Sequence, residues 1–526
     1  MRKWLLAVGA ILVIGMIILI MNLNENNESS RQDEVKEAGI LEDYNQSYRP
    51  QFHYTPMKNW MNDPNGMVFL EGQYHLFYQH NPSGNEFGNM GWGHAVSEDL
   101  YNWEEKLMAL EADDQGMIFS GGAVYDKYNT SGLFEEGKAG LVAFYTIAGE
   151  EQTQGLAYSE DGGEMWKKYR GNPILPNPGI KDFRDPKVIW HEESEKWILL
   201  LAAGDKVIFY SSDNLIDWQQ LSEFGVDQGA QGGVWETPEL FKLPVDGDSS
   251  NEKWVLQVDM NPGSIAGGSG GQYFIGDFDG ETFTREGTKE DINWVDYGTD
   301  FYAAQAFSNH EGNPIWMAWM SNWLYASDLP TDPWKGAMSL PREVTLEEVK
   351  GETRLIQKPA GDVESNRSEK LVDLSNEEIE GRIPLDNFEV DTYEVIAEFD
   401  LDTSGEFGFR VRKGDEEETI VGYDSKNNLA FVDRQNSGDT GFHEQFPGVY
   451  RAPLEPTEDG KVKLHLFVDR SSVELFANDG KRVMTNRIFP SEGSDGLEIY
   501  AMNGKVTLDS LEVYKLESSW KTAEKE

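Results

Sequence analysis

A strand-like segment ending in serine, a polar turn and a tryptophan occurs three times in this chain, as GHAVSEDLYNW (93–103), GLAYSEDGGEMW (155–166) and VIFYSSDNLIDW (207–218). A more apolar segment precedes each one: YHLFYQ (74–79), GLVAFYT (140–146) and WILLLAAG (197–204). WVLQVDM (254–260) and PIWMAWM (314–320) continue that apolar series. A third strand comes earlier still in every unit, opening near Gly66, Ala123, Lys187, Glu239 and Ala304. Five units of about 60 residues with recurring strands predict a five-bladed β-propeller over residues 49–349. A stacked solenoid fits less well, because the units are long and their strands alternate.

The rest of the chain is also read as strand and loop. Trp 16, Tyr 21, Phe 26 and Gly 53 accompany few helix-forming runs, which favours short strands joined by tight turns. Residues 350–384 are polar and charged and are expected to be a connector. Residues 385–516 contain TYEVIAEFDL (392–401), FGFRVRK (407–413), KVKLHLFVDR (461–470) and SVELFAN (472–478), separated by Gly, Asp and Asn turns. That pattern predicts a β-sandwich. The fold class is therefore all-β, a five-bladed β-propeller followed by a C-terminal β-sandwich.

Charge and composition exclude several kinds of partner. The 526 residues carry 93 acids against 45 bases, a formal charge of −48, which argues against nucleic acid and anionic membrane surfaces. There is no cysteine, so disulfides, thiol nucleophiles and thiolate metal sites are absent together. The 8 histidines show no HExxH-like spacing, and neither a metal nor a cofactor is expected. At the N-terminus, Arg2 and Lys3 precede an 18-residue apolar run (4–21), close to the roughly 20 residues that span a bilayer. Residues 1–21 are read as an uncleaved signal anchor, with its basic end inside and the remainder extracellular. Cleavage as a signal peptide, followed by secretion, is the alternative. Residues 22–48 are polar and read as a flexible tether.

Three short turns pair a carboxylate with a proline and run into an apolar strand: WMNDPNG (60–66), FRDP (183–186) and WETP (235–238). A structural turn with a capping aspartate would account for WMNDPNG or FRDP alone. A glutamate between Trp235 and Thr237 gains little as a turn former, and the three turns share one phase of the repeat. Asp63, Ser120, Asp185, Glu236 and Asp300 all precede the first strand of their unit, so they are expected to ring one end of the central channel. Converging carboxylates point to glycoside chemistry. Retaining hydrolysis needs a nucleophile and an acid/base about 5–5.5 Å apart. Asp63 beside Asn62 suits an ionised nucleophile. Glu236 beside Trp235 and facing two aspartates suits a proton-holding acid. Asp185 beside Arg184 is expected to stay ionised, stabilising an oxocarbenium-like transition state or gripping sugar hydroxyls.

These turns, together with FYQHNP (77–82), Phe119-Ser120-Gly121, DYGTDFYAAQ (296–305), SNWLYA (321–326), PWKGAMSLPRE (333–343) and DRSSVELFANDGKRVMTNRIFP (469–490), resemble glycoside hydrolase family 32 in motif and order. That family contains invertases, levanases and exo-inulinases. The resemblance runs from about residue 50 to 516. It implies Asp63 as nucleophile, Asp185 as transition-state stabiliser and Glu236 as acid/base. It also implies sugar contacts from Asn62, Gln79, Phe87, Phe119, Ser120, Arg184, Tyr302 and Trp323. The implied activity is release of fructose from the non-reducing ends of levan or inulin, and from sucrose. Two alternatives share the scaffold: a fructosyltransferase, and a non-catalytic fructan-binding protein at the cell surface. The chain departs from the family pattern at Thr237, where cysteine is common, and at Phe87, where many relatives carry tryptophan.

Overall fold

The computed structural model describes residues 44–520, apart from 386, 387, 402 and 404. The expected signal anchor and most of the expected tether lie outside the described residues. Tyr44 belongs to a small unit with Trp520, on which its ring stacks at 4.1 Å. Residues 47–519 form the other unit, described below.

The repeat folds as five four-stranded blades. Blade III shows the plan: Phe183–His191, Lys196–Ala203, Val207–Ser212 and Gln219–Phe224 pair in sequence order, all antiparallel. The first strands of the other blades are Asn59–Leu70, Met117–Asp126, Val234–Val245 and Tyr302–Ala306. These five pack on one another in cyclic order, blade V returning to blade I, so they line the central axis. The second strands are continuous apolar runs because both faces are buried between neighbouring blades. In blade III, Leu199 and Leu201 pack against blade II, while Ile198 and Leu200 pack against blade IV. The recurrent serine-turn-tryptophan motif closes the third strand. Asp99, Asp161 and Asn214 each accept backbone N–H groups of the turn, and Trp103, Trp166 and Trp218 each donate an indole N–H to a carbonyl three residues back.

Residues 350–384 differ from their expected role as a connector. Glu352–Pro359 pairs along its length with Arg342–Val349 as the outer strand of blade V. Arg367–Pro384 pairs with Gly496–Leu516 in the second module. Among the described residues it has only that one neighbour, and charged residues on an edge strand resist pairing with other chains. Its charge therefore marks an edge.

The second module is the sandwich. Gly496–Leu516 runs through both layers, pairing with Glu406–Lys413 by its first part and with Tyr393–Asp400 by its second. It turns between them at Asn503 and Gly504, both at positive φ (60° and 139°). Val395, Phe399, Phe409, Leu464, Leu475 and Leu511 fill the core between the layers.

Where the two modules meet, the contact is buried and ionic. Arg342 of blade V, wholly buried, donates to Asp296 at 3.0 Å and to Glu474 of the sandwich at 2.6 Å. His53 places Nδ1 2.7 Å from Asp469 and Nε2 2.9 Å from Glu474. With a carboxylate at each ring nitrogen, both must donate, and the imidazole is held as a cation. Burial alone would lower its pKa, but the two hydrogen-bonded acids outweigh it and hold His53 at about 9. A folded value raised from 6.5 adds stability below pH 6.5 that is lost as pH rises through about 9, about 3 kcal/mol in all. Thermal unfolding followed from pH 6 to 10 is expected to show this loss, and His53→Gln to be destabilised with a flatter profile. An unchanged profile in His53→Gln would refute the charged clamp.

Candidate active site

The site is built by one irregularity repeated five times. Near the same end of each blade, three steps along the first strand oppose two along the second. Met61 and Pro64 face His80 and Tyr78; Ile118 and Gly121 face Ile147 and Tyr145. Arg184 and Lys187 face Ala202 and Leu200; Glu236 and Glu239 face Asp259 and Gln257; Tyr302 and Gln305 face Trp319 and Met317. Each is a β-bulge of one residue, which bends the strand and re-aims its side chains. Proline is one local cause: Pro186 and Pro238 lie inside their bulges and have no N–H for the ladder. Asp185, Thr237 and Ala303 occupy the same bulge position and share a left-handed backbone, with φ of 63°, 44° and 59°. None is glycine, and strain of this kind concentrates at functional sites.

The bulges correct the expected common register of the acids. Glu236 stands at the opening position of its bulge, as do Arg184 and Tyr302. Asp185 is one residue further in, level with Asn62, Phe119 and Thr237. Asp63 is two further in, level with Ser120. The three acids therefore come from three successive levels of the inner wall. Asp300 is not among them: Tyr302 is the blade V counterpart of Glu236. Asp300 is buried against the sandwich, accepting from Arg434 at 2.7 Å and from the Arg487 N–H at 2.8 Å.

Neighbours on one level bond around the axis. Arg184 donates Nε and Nη2 to Glu236 Oε1 at 3.0 and 2.9 Å, and Tyr302 donates its hydroxyl to Glu236 Oε2. Ser120 donates to Asp63 Oδ2 at 2.6 Å, while Asn62, one level up on the same strand, donates to Asp63 Oδ1 at 3.0 Å. The Thr237 N–H donates to Asp185 Oδ2 at 3.0 Å. Burial raises Asp63 to about 6, the Ser120 and Asn62 hydrogen bonds opposing and the charge of Glu236 adding. Burial also pushes Asp185 above the usual carboxylate range, with Arg184 opposing and both other acids reinforcing.

Two expected neighbours change. The donors of Arg184 go to Glu236, Asp182 and Gln152, so its side chain does not pair with Asp185 and does not hold that acid in the ordinary ionised range. Trp235 points into the core between blades III and IV, so Glu236 is surrounded by hydrogen-bond donors and not by an indole wall. The hydroxyl of Thr237 also turns from Glu236, donating to Asp259 Oδ2 at 3.0 Å.

An aromatic wall flanks the acids. Trp323 stacks on Trp60 at 6.0 Å and meets Phe87 edge-on at 5.5 Å, and Phe87 lies 5.9 Å from Phe119. Phe87 is 42% exposed, the outermost of the group. Gln79 is buried and donates to the Ile118 carbonyl at the opening of the second bulge. One step below the bulges the axis is closed. Lys187 lies 2.7 Å from Glu239 and 3.4 Å from Gln305, all buried and from three different blades. Side chains from three blades meet only on the axis, so this cluster forms a floor.

All eleven expected site residues thus reach the same end of the propeller. The sequence reading missed Trp60, Asp182, Asp259 and the floor. Asp182 had a local signal, lying two residues from Arg184 just before the strand Phe183–His191, within reach of its guanidinium. Asp259 had none, since only strand pairing sets it opposite Glu236.

Residues 53–359 match the glycosyl hydrolases family 32 N-terminal domain, and residues 355–515 match the glycosyl hydrolases family 32 C terminal. The chain is 51% identical over 489 residues to a levanase of Bacillus subtilis (strain 168), covering 91% of this chain and 72% of that one. It is 42% identical over 519 residues to an extracellular exo-inulinase of Aspergillus awamori, covering 91% and 96%. The crystal structure of exo-inulinase from Aspergillus awamori superposes with a TM-score of 0.86 at 40% identity, covering 91% of this chain and 100% of that one. A β-fructofuranosidase from Schwanniomyces occidentalis complexed with fructosyl-erythritol gives 0.84 at 33% identity, covering 90% and 99%. With both modules matched and such relatives along nearly its whole length, the chain belongs to glycosyl hydrolase family 32 and is a glycoside hydrolase.

Proposed function

We propose that the protein is a retaining, exo-acting β-fructosidase that removes terminal fructose from levan, inulin and sucrose outside the cell. The observation that carries this reading is the set of three carboxyls at successive levels above a closed floor. Asp63 attacks the anomeric carbon of the terminal fructosyl unit, while Glu236 gives a proton to the departing glycosidic oxygen. The C–O bond to the leaving group breaks as the ester to Asp63 forms. Glu236, now ionised, takes a proton from water, whose oxygen displaces Asp63 and releases fructose. Asp185 grips hydroxyls of the fructosyl ring as positive charge develops, and Arg184 and Tyr302 hold the Glu236 carboxyl in place.

The aromatic wall of Trp60, Phe87, Phe119 and Trp323 fits a sugar ring, and Asn62 and Gln79 supply polar contacts to its hydroxyls. The floor supports exo attack, because a chain cannot thread through a closed axis. The levanase and exo-inulinase relatives support fructans as substrates, and the extracellular exo-inulinase supports export.

Product profiling on the three substrates tests this reading. Fructose is expected as the first and main product from each, with Asp63→Ala and Glu236→Ala each reducing kcat at least about a thousandfold. Early oligofructosides from levan or inulin would contradict exo attack, and full activity in either variant would overturn the assignment of the acids.

The pH profile provides a second test. Asp63 must be ionised to attack, so its raised pKa of about 6 predicts that kcat/KM falls as pH drops through about 6. The Ser120 hydrogen bond stabilises the ionised form. Ser120→Ala is therefore expected to move this acidic limb to higher pH. A limb that stays put or moves down would break the link between Asp63 and the profile.

A further inference from the structure

The sandwich reaches the active site through one buried guanidinium. Arg434, in the sandwich strand Leu429–Asn436, has no exposed surface. Its Nη1 donates to Asp300 Oδ2 at 2.7 Å and its Nη2 to the Tyr325 hydroxyl at 3.0 Å. Tyr325 in turn donates to Asp300 Oδ1 at 2.7 Å, which closes a three-membered ring of bonds. The guanidinium is also fixed on its own side, with Nε donating to the Phe446 carbonyl at 2.8 Å and Cζ 3.9 Å from the centroid of the Phe446 ring.

The two propeller partners are set beside the site by sequence. Asp300 stands two residues before Tyr302, whose hydroxyl bonds Glu236. Tyr325 stands two residues after Trp323, which packs on Trp60 and Phe87 in the wall. Asn322 ties the same segments together, donating to the Thr299 carbonyl at 2.8 Å. Among the described residues the ion pair to Asp300 comes from the sandwich, and a buried carboxylate that loses such a partner is strongly destabilised.

We propose that Arg434 is a positioning residue of the active site: by clamping Asp300 and Tyr325, it holds Tyr302 on Glu236 and Trp323 in the pocket wall. The proposal rests on the reading of Glu236 as acid/base. It makes the sandwich part of the catalytic apparatus, acting through two short segments of blade V, one before its first strand and one between its second and third. Small displacements at such positions are costly, since an ångström of misplacement lowers rates by roughly a hundredfold.

A double-mutant cycle on the full-length protein, with sucrose as substrate, tests the clamp. Tyr325→Phe removes the linking hydroxyl and keeps the ring, whereas Arg434→Lys keeps the charge and loses the two-way geometry. Each is expected to lower kcat about tenfold or more and to raise KM through Trp323, at temperatures well below unfolding. In a Tyr302→Phe background, the kcat loss of either variant is expected to shrink to about twofold or less, while the KM effect persists. Equal kcat losses in both backgrounds would mean that the residues act through general stability, and the proposal would fail. Wild-type kinetics in Tyr325→Phe would also overturn it. Should Arg434→Lys not fold, the Tyr325→Phe cycle decides alone. Glu236→Ala measured alongside separates the two levels: if it kept full activity, the reading of the site would fall irrespective of the cycle.

Discussion

A single extra residue in each innermost strand organises this molecule. A regular strand would send alternate side chains toward and away from the axis, giving five blades the same inward set. The bulge adds an intermediate level, so successive residues of one strand reach the channel. Bonds then form around the axis within levels: Arg184 to Glu236 to Tyr302 at the top, Thr237 to Asp185 below, Ser120 to Asp63 below that, and Lys187 to Glu239 at the base. The strained backbone of Asp185 and Thr237 is the local cost of that arrangement.

Much of this was legible in the chain itself. The apolar second strands and the serine-turn-tryptophan motif recur because each blade must bury two faces and turn at the same place, so the propeller could be read from periodicity. The acid-proline turns marked the right end of the channel. Their levels could not be read, because a one-residue bulge leaves no mark in periodicity and shows only when two strands are set side by side. The same limit explains Asp300, which sits in phase with the acids by count yet two residues ahead of the bulge. Arg367–Pro384 was missed for a different reason: an edge strand needs charge more than it needs alternation.

The junction between the modules also departs from what composition suggests. A chain of formal charge −48 uses several of its cations where water is excluded: Arg342 against Asp296 and Glu474, His53 between Asp469 and Glu474, and Arg434 on Asp300. Buried ion pairs add little net stability compared with apolar packing, but breaking one leaves an uncompensated charge. Their value is geometric, fixing one orientation of sandwich against propeller. Two of the bonded partners, Asp300 and Tyr325, lie within two residues of pocket side chains, so that orientation carries directly into the site.

The floor of Lys187, Glu239 and Gln305 bears on how a polymer is consumed. A pocket closed at its base has one opening, and the released monosaccharide must leave through the mouth by which the chain entered. The remaining polymer occupies that mouth until it withdraws, so it cannot slide forward to present its next unit. On the proposed exo reading, each cleavage ends one encounter and digestion is distributive, so that all chains in a mixture shorten together.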